Sequence, residues 1–164
     1  IWNQTDGQID GFVCASGTGG TIAGVSRALK EKNKDIKIFL SDPKGSALHN
    51  YIKSNELNIE GSSITEGIGS SRVTENFKNA LIDDSYSIDD KEALEILFSL
   101  IENEGLCLGT SSGINIAGAI KLAKEIGPGK IIITILCDKS ERYHSKLFNK
   151  EFLKEKNLPV PNWL

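Results

Sequence analysis

Methionine is missing from the chain altogether, histidine occurs only twice and cysteine only three times in 164 residues. Without a methionine, Ile1 is not a translation start, and the sequence is expected to be a piece of a longer protein. Its opening Ile1-Trp2-Asn3-Gln4 lacks the basic start and apolar core of a signal peptide. Cys14, Cys107 and Cys137 are odd in number, far apart and without CxxC spacing, which excludes a disulfide framework or a zinc site. Each sits in an apolar run and is expected as a buried thiol. His49 and His144 have no partners at metal-ligand spacing, so no metal is expected. No apolar run approaches the roughly 18 residues of a membrane span. A net charge of −3, a pI near 5.5 and the lack of any basic block argue against a nucleic-acid partner. The expected setting is cytoplasmic, away from membranes.

What is present is an ordinary globular balance, 39% hydrophobic and 25% charged, with one excess: 16 glycines, and these are clustered. Short apolar runs alternate with amphipathic ones. Strands are predicted over Gly11–Ala15, Ile36–Leu40, Ser85–Ile88, Leu106–Leu108 and Lys130–Cys137. Helices are predicted over Ile22–Lys32, Ser46–Ser54, Thr74–Leu81, Ile114–Glu125 and about Asn149–Lys156. Another opens at Asp89, with a capping-box spacing to Glu92, and stops at Gly105. Residues 58–72 read as loop. This alternation defines an α/β fold class: an open, mainly parallel sheet with helices on both faces and no internal domain boundary.

Two loops carry the chemistry. Gly17-Thr18-Gly19-Gly20-Thr21 lies between a buried strand and a helix. Its backbone N–H groups, the helix N-terminus and two threonine hydroxyls make a neutral anion site. The dinucleotide pattern fails because its sixth position would be Ile22, and no GxxxxGK[ST] run exists. A single phosphomonoester fits best, as on pyridoxal phosphate, a sugar phosphate or a flavin mononucleotide. The second loop, Gly109-Thr110-Ser111-Ser112-Gly113, matches the G-x-S-x-G elbow of hydrolases, with Asp138 and His144 following in order. Only six residues separate that Asp from that His, which disfavours a triad. The alternative is a helix start capped by Ser111 or Ser112.

Taken in order, the Gly17–Thr21 loop, Glu66-Gly67-Ile68-Gly69, Gly105-Leu106 leading to Gly109–Gly113, and Leu136-Cys137-Asp138 with Glu141-Arg142-Tyr143 closely resemble the C-terminal half of the cysteine synthase (O-acetylserine sulfhydrylase) family. These are two-domain fold-type II enzymes that use pyridoxal 5'-phosphate (PLP). The resemblance covers essentially the whole chain. It implies that residues 1–164 are the C-terminal part of such an enzyme, mostly its larger cofactor-binding domain. Gly17, Thr18, Gly19, Gly20 and Thr21 would hold the cofactor phosphate and Ser111 would bond the pyridine nitrogen. Gly67, Ile68 and Gly69 would form a loop beside cofactor and substrate. The family's Schiff-base lysine belongs to the N-terminal part, so this segment contains no catalytic residue and is expected to be inactive alone. None of Lys30, Lys44, Lys121 or Lys146 sits in that lysine's motif.

The implied reaction replaces the acetate of O-acetylserine by sulfide to give cysteine, in a full-length homodimer. A neutral hydroxyl at the pyridine nitrogen makes the ring a weaker electron sink than a carboxylate would, which suits β-elimination from a good leaving group. The rival activities are those of a cystathionine β-synthase-like or serine/threonine dehydratase-like enzyme, or a non-catalytic phosphate-binding module. The family often reads Asp-Ser-Gly where this chain has Asp138-Lys139-Ser140, which affects the turn near the ring nitrogen. The apolar segment Asn149–Leu164 is expected to pack on another chain, on the remainder of the protein, or on its own sheet.

Overall fold

The computed structural model describes residues 1–164. Four strands form one parallel sheet in the order β3-β2-β1-β4: β1 Gly11–Cys14, β2 Lys37–Pro43, β3 Asp84–Ile88 and β4 Ile132–Thr134. Seven helices connect and follow them: α1 Gly20–Lys32, α2 Leu48–Ser54, α3 Glu75–Lys78, α4 Asp90–Glu104, α5 Thr110–Ile126, α6 His144–Leu147 and α7 Lys150–Glu155. β1 pairs with β2 on one side and β4 on the other.

Side-chain alternation along β1 and β2 decides which helices go where. Phe12, Cys14, Ile38 and Leu40 point to one face and join Ile22 and Leu29 of α1, Leu48 of α2 and Phe77 of α3 in a single core. Val13 and Phe39 point to the other face and meet Leu122 of α5. Ile88, Ala93, Ile114 and Ala117 extend that side through α4 and α5. All of β1 is buried, as a central parallel strand covered on both faces must be. The predicted α/β architecture is therefore the observed one.

Local boundaries differ from expectation for identifiable reasons. β2 runs on through Ser41, Asp42 and Pro43, all buried and paired with β3. The β-rich stretch Lys130–Cys137 contributes only Ile132–Thr134, since the β1–β4 ladder stops there. Residues Leu106–Leu108 form no strand beyond a single antiparallel bridge from Leu108 to Lys139, because Gly105 ends α4 with a left-handed turn that leaves the sheet. The predicted helix Thr74–Leu81 shrinks to one turn, and a 3-10 turn at Ser140–Tyr143 followed by α6 organises the polar segment after Cys137. α5 starts at Thr110, not Ile114, so the second small-residue loop is a helical turn. At the start of α4, the Asp89 carboxylate accepts from Lys91 N–H (2.8 Å), while Glu92 pairs with Lys121 rather than closing a capping box.

Two further expectations are corrected. Cys14 is buried, but Cys107 and Cys137 are exposed, since both lie past the ends of regular elements. The C-terminal segment packs on α4 rather than on the sheet. Leu153, Phe152, Leu158, Val160 and Leu164 cover Leu94, Leu97 and Phe98 of α4 together with Tyr143 and Leu147. Trp163 stacks edge-on against Phe98 and stays 42% exposed.

Contact between α5 and the sheet is closest at Gly118, where an added Cβ would overlap Ser41 Oγ and lie 2.9 Å from Val13 Cγ1. Ser41 Oγ also donates to Ile114 O (2.6 Å), so it has little room to move. Gly118→Ala is expected to cost about 1–3 kcal/mol by overpacking. A urea titration of the full-length protein checks this by a lowered midpoint at unchanged slope.

Candidate functional site

From β1, the chain runs to β2 and β3 on one side, while β4 lies on the other. The carboxyl ends of β1 and β4 therefore flank a topological switch point, the place where open α/β sheets bind ligands. The loop leaving β1 there is Ala15–Gly19, and α1 begins at Gly20. Gly19 is the helix N-cap with φ +86°, a backbone region that favours glycine. A side chain there would also strike Phe77 N at 2.6 Å. The N–H groups of Gly17 through Ile22 donate to no acceptor within the chain. They form a crown of free donors at a helix N-terminus, matched to an anion.

A second loop seals one side of this crown. Gly69 N donates to Ser16 O (2.8 Å), and a Cβ on Gly17 would overlap Gly67 O. Gly67 and Gly69 both have positive φ. Ile68 between them tucks against the core of Ile88, Ala93, Ile114 and Ala117. Thr74 Oγ1 donates to Thr18 O (2.7 Å) and fixes the loop from a third segment. Glu66, just before this loop, is held below the usual carboxylate range by its hydrogen bond to Lys146, whose ammonium also donates to Ile64 O (2.9 Å).

Ser111 lies in the first turn of α5 and is only 5% exposed, yet its hydroxyl neither caps the helix nor bonds any other group of the chain. Gly109 is the N-cap instead, so neither Ser111 nor Ser112 caps. Ser112 Oγ accepts from Cys137 N (3.1 Å). Asn115, one turn further and 1% exposed, accepts from Ala15 N (2.6 Å) and donates to Ile135 O (2.7 Å). Asn115 thereby ties the turn carrying Ser111 to the segment two residues before Gly17. A Cβ at Gly109 would collide with the Asp138 carboxylate, which accepts from Tyr143 O–H (2.8 Å). The Tyr143 hydroxyl is pushed up by burial and then by that carboxylate. Asn115 belongs to none of the sequence motifs; its one signal is a polar residue on the buried face of an apolar helix.

The hydrolase alternative is not formed. Asp138 is engaged by Tyr143, and the His144 ring packs edge-on against Phe148 at 4.9 Å. Lys30, Lys44, Lys121 and Lys146 are each held in an ion pair, with Asp83, Asp89, Glu92 and Glu66 respectively. A surface depression of about 830 Å³ lies elsewhere, among Arg27, Lys30, Lys34 and Lys78. No helix is long and apolar enough to cross a membrane.

Fold and site together define an α/β domain that presents unpaired backbone N–H donors and an unpartnered serine hydroxyl at its switch point. Residues 1–138 match the family of pyridoxal-phosphate dependent enzymes, and the chain belongs to that family. It is similar to "Cysteine synthase 1" of Neurospora crassa, 47% identical over 163 residues, covering 96% of this chain and 43% of the relative. It is also similar to "Cysteine synthase" of Dictyostelium discoideum, 41% identical over 170 residues, covering 98% and 45%. Among solved structures, an O-acetylserine dependent cystathionine beta-synthase from Helicobacter pylori superposes with TM-score 0.78 at 34% identity, covering 88% of this chain and 45% of that one. The chain thus spans less than half the length of these relatives.

The donor set fits the family's cofactor. The free N–H crown suits its phosphate, and the unpartnered Ser111 hydroxyl suits a ring nitrogen.

Near the carboxyl end of β2 lies a buried acid. Asp42 Oδ2 accepts from His49 N (2.8 Å), but Oδ1 has no partner. Burial raises its pKa from 3.8 to about 6. A carboxyl raised on folding keeps its proton in the folded state when the unfolded chain has lost it. Its contribution is therefore most favourable below pH 4 and is lost as pH rises from about 4 to 6. Asp42→Asn, which retains an acceptor for His49 N–H, should stabilise the protein at pH 7 relative to its effect at pH 4, by on the order of 3 kcal/mol. Denaturant titrations of parent and variant across that interval read the difference directly; parallel curves would contradict it.

Proposed function

We propose that the chain is the C-terminal part of a PLP-dependent cysteine synthase that converts O-acetyl-L-serine and sulfide to L-cysteine and acetate. The observation that carries the reading is the pairing of the free N–H crown at Gly17–Ile22 with an unpartnered serine hydroxyl at the same switch point. Identities of 41–47% to cysteine synthases over nearly all of the chain support this substrate class. Similarity to cystathionine beta-synthase of Apis mellifera is lower, at 37%. The remainder of the protein is proposed to carry the lysine that tethers the cofactor and the groups that grip the substrate carboxylate. The same family resemblance extends the proposal to a cytoplasmic homodimer of the full-length chain.

Each residue has a physical role in this reading. Bound PLP supplies an electron sink for reactions at the α-carbon of an amino acid. Gly17, Thr18, Gly19, Gly20 and Thr21 hold its phosphate by backbone N–H groups and the positive end of α1. Ser111 offers its hydroxyl hydrogen to the pyridine nitrogen, which leaves the ring unprotonated and the sink moderate. A moderate sink favours loss of a good leaving group such as acetate over longer-lived carbanion chemistry. Gly67, Ile68 and Gly69 border the substrate, on backbone already joined to the phosphate loop through Gly69 and Ser16.

The test supplies the full-length enzyme with O-acetylserine plus sulfide and, separately, with serine plus homocysteine. Cysteine formed from the first pair at the higher kcat/KM supports the proposal; a preference for the second pair sinks it in favour of a cystathionine β-synthase. Ser111→Ala should retain PLP while lowering kcat/KM for cysteine formation about tenfold or more, the loss of one charge-tuning hydrogen bond. Parental kinetics in that variant would remove Ser111 from the site.

A further inference from the structure

In a parallel pair, backbone donors fall on alternate residues of each strand. Gly11 N donates to Ile131 O (3.1 Å), and the register aligns Gly11 with Ile132, Phe12 with Ile133 and Val13 with Thr134. Continued by the same rule, the ladder would next join Ile135 N to Val13 O, Ala15 N to Ile135 O and Cys137 N to Ala15 O. None of these bonds forms, and side chains stand in for them. Val13 O accepts from Thr134 Oγ1 (2.6 Å). Ala15 N donates to Asn115 Oδ1 (2.6 Å), and Asn115 Nδ2 donates to Ile135 O (2.7 Å). Cys137 N donates to Ser112 Oγ (3.1 Å).

The Asn115 amide thus occupies a missing rung. A primary amide offers the same acceptor and donor as a peptide unit, and here it accepts from one strand and donates to the other. Two strands bridged this way stay hydrogen-bonded yet stand apart by the width of a side-chain amide. Asn115 is 1% exposed, so neither bond has water to replace it. The widening begins two residues before Gly17 and on the helix that carries Ser111 one turn earlier.

We infer that Asn115 is a positioning residue: a wedge in the β1–β4 ladder that holds the switch-point crevice open and sets the spacing between the Gly17–Thr21 loop and Ser111. The inference rests on the proposed cofactor site. It requires both ends of the amide, the acceptor toward Ala15 and the donor toward Ile135. Loss of both removes the wedge, and the span from phosphate to ring nitrogen no longer matches the cofactor.

The experiment uses the full-length protein, freed of cofactor and titrated with PLP, with absorbance reporting binding and far-UV circular dichroism reporting the fold. Asn115→Leu fills the space but makes neither bond, and it should weaken PLP binding about tenfold or more at every pH. Asn115→Asp reproduces both bonds when protonated, one oxygen accepting and the hydroxyl donating, and only one when ionised. It should bind within about twofold of the parent near pH 6 and about tenfold more weakly by pH 9, as a buried carboxyl loses its proton. Cys14, Cys137 and Asp138 are the titratable side chains on the joined segments apart from Lys139, and Cys137 Sγ lies 3.5 Å from Asn115 Nδ2, so parent and variant are both compared in a Cys137→Ser background to isolate position 115. Constant circular dichroism with a falling ratio supports the wedge. A ratio independent of pH, or Asn115→Leu binding like the parent, overturns it. Loss of circular dichroism along with binding would make Asn115 a packing residue and also overturn it. A parent that fails to bind PLP would overturn the cofactor reading itself, and the inference with it.

Discussion

Backbone hydrogen bonding between β1 and β4 ends at Val13, and the backbone groups beyond it find side-chain partners instead. That exchange organises the carboxyl edge of the sheet. It draws the first turns of α5 inward so that Ser112 and Asn115 reach strand backbone, and the Ser111 hydroxyl stays without a partner. α5 can come this close only because its packing surface is small. Gly113 lies where a Cβ would press on Ala93 O at 2.8 Å, and Gly118 lies against Ser41 and Val13. Small residues, helix position and an interrupted ladder are one arrangement seen from three sides.

Much of the architecture was legible in the sequence. The continuous apolar run through Phe12, Val13 and Cys14 marked a strand covered on both faces, and helical periodicity in Leu94, Leu97 and Ile101 marked a packed helix. The Gly17–Thr21 loop announced itself because five consecutive small residues exceed the needs of a turn. Other features depend on contacts that periodicity does not encode. Ile135-Leu136-Cys137 has strand composition but no strand partner, so its propensity is overridden. Cys107 and Cys137 lie in apolar runs that leave the sheet, and they end up exposed. Asn115 looked like one polar residue in an apolar helix; its role follows from two strands separated from it by 100 and 20 positions.

The C-terminal segment illustrates the same limit. Its composition demanded an apolar partner, but not which one. The partner proved to be α4, whose Leu94, Leu97 and Phe98 turn away from the sheet and need a cover of their own. α4 therefore serves two cores at once: Ala93 faces the sheet-side cluster and Leu97 the C-terminal one.

The Gly17–Thr21 loop contains no lysine or arginine, so the loop itself offers an anion only amide and hydroxyl dipoles. Such dipoles act over the first turn of a helix. Dissolved ions screen monopoles across a Debye length of roughly 8–10 Å, and they leave short, directed donors nearly untouched. In the proposed site, retention of a phosphate by this loop would be a matter of geometry and dehydration rather than of counter-charge, and it would tolerate changes in ionic strength that strip the same group from a basic patch.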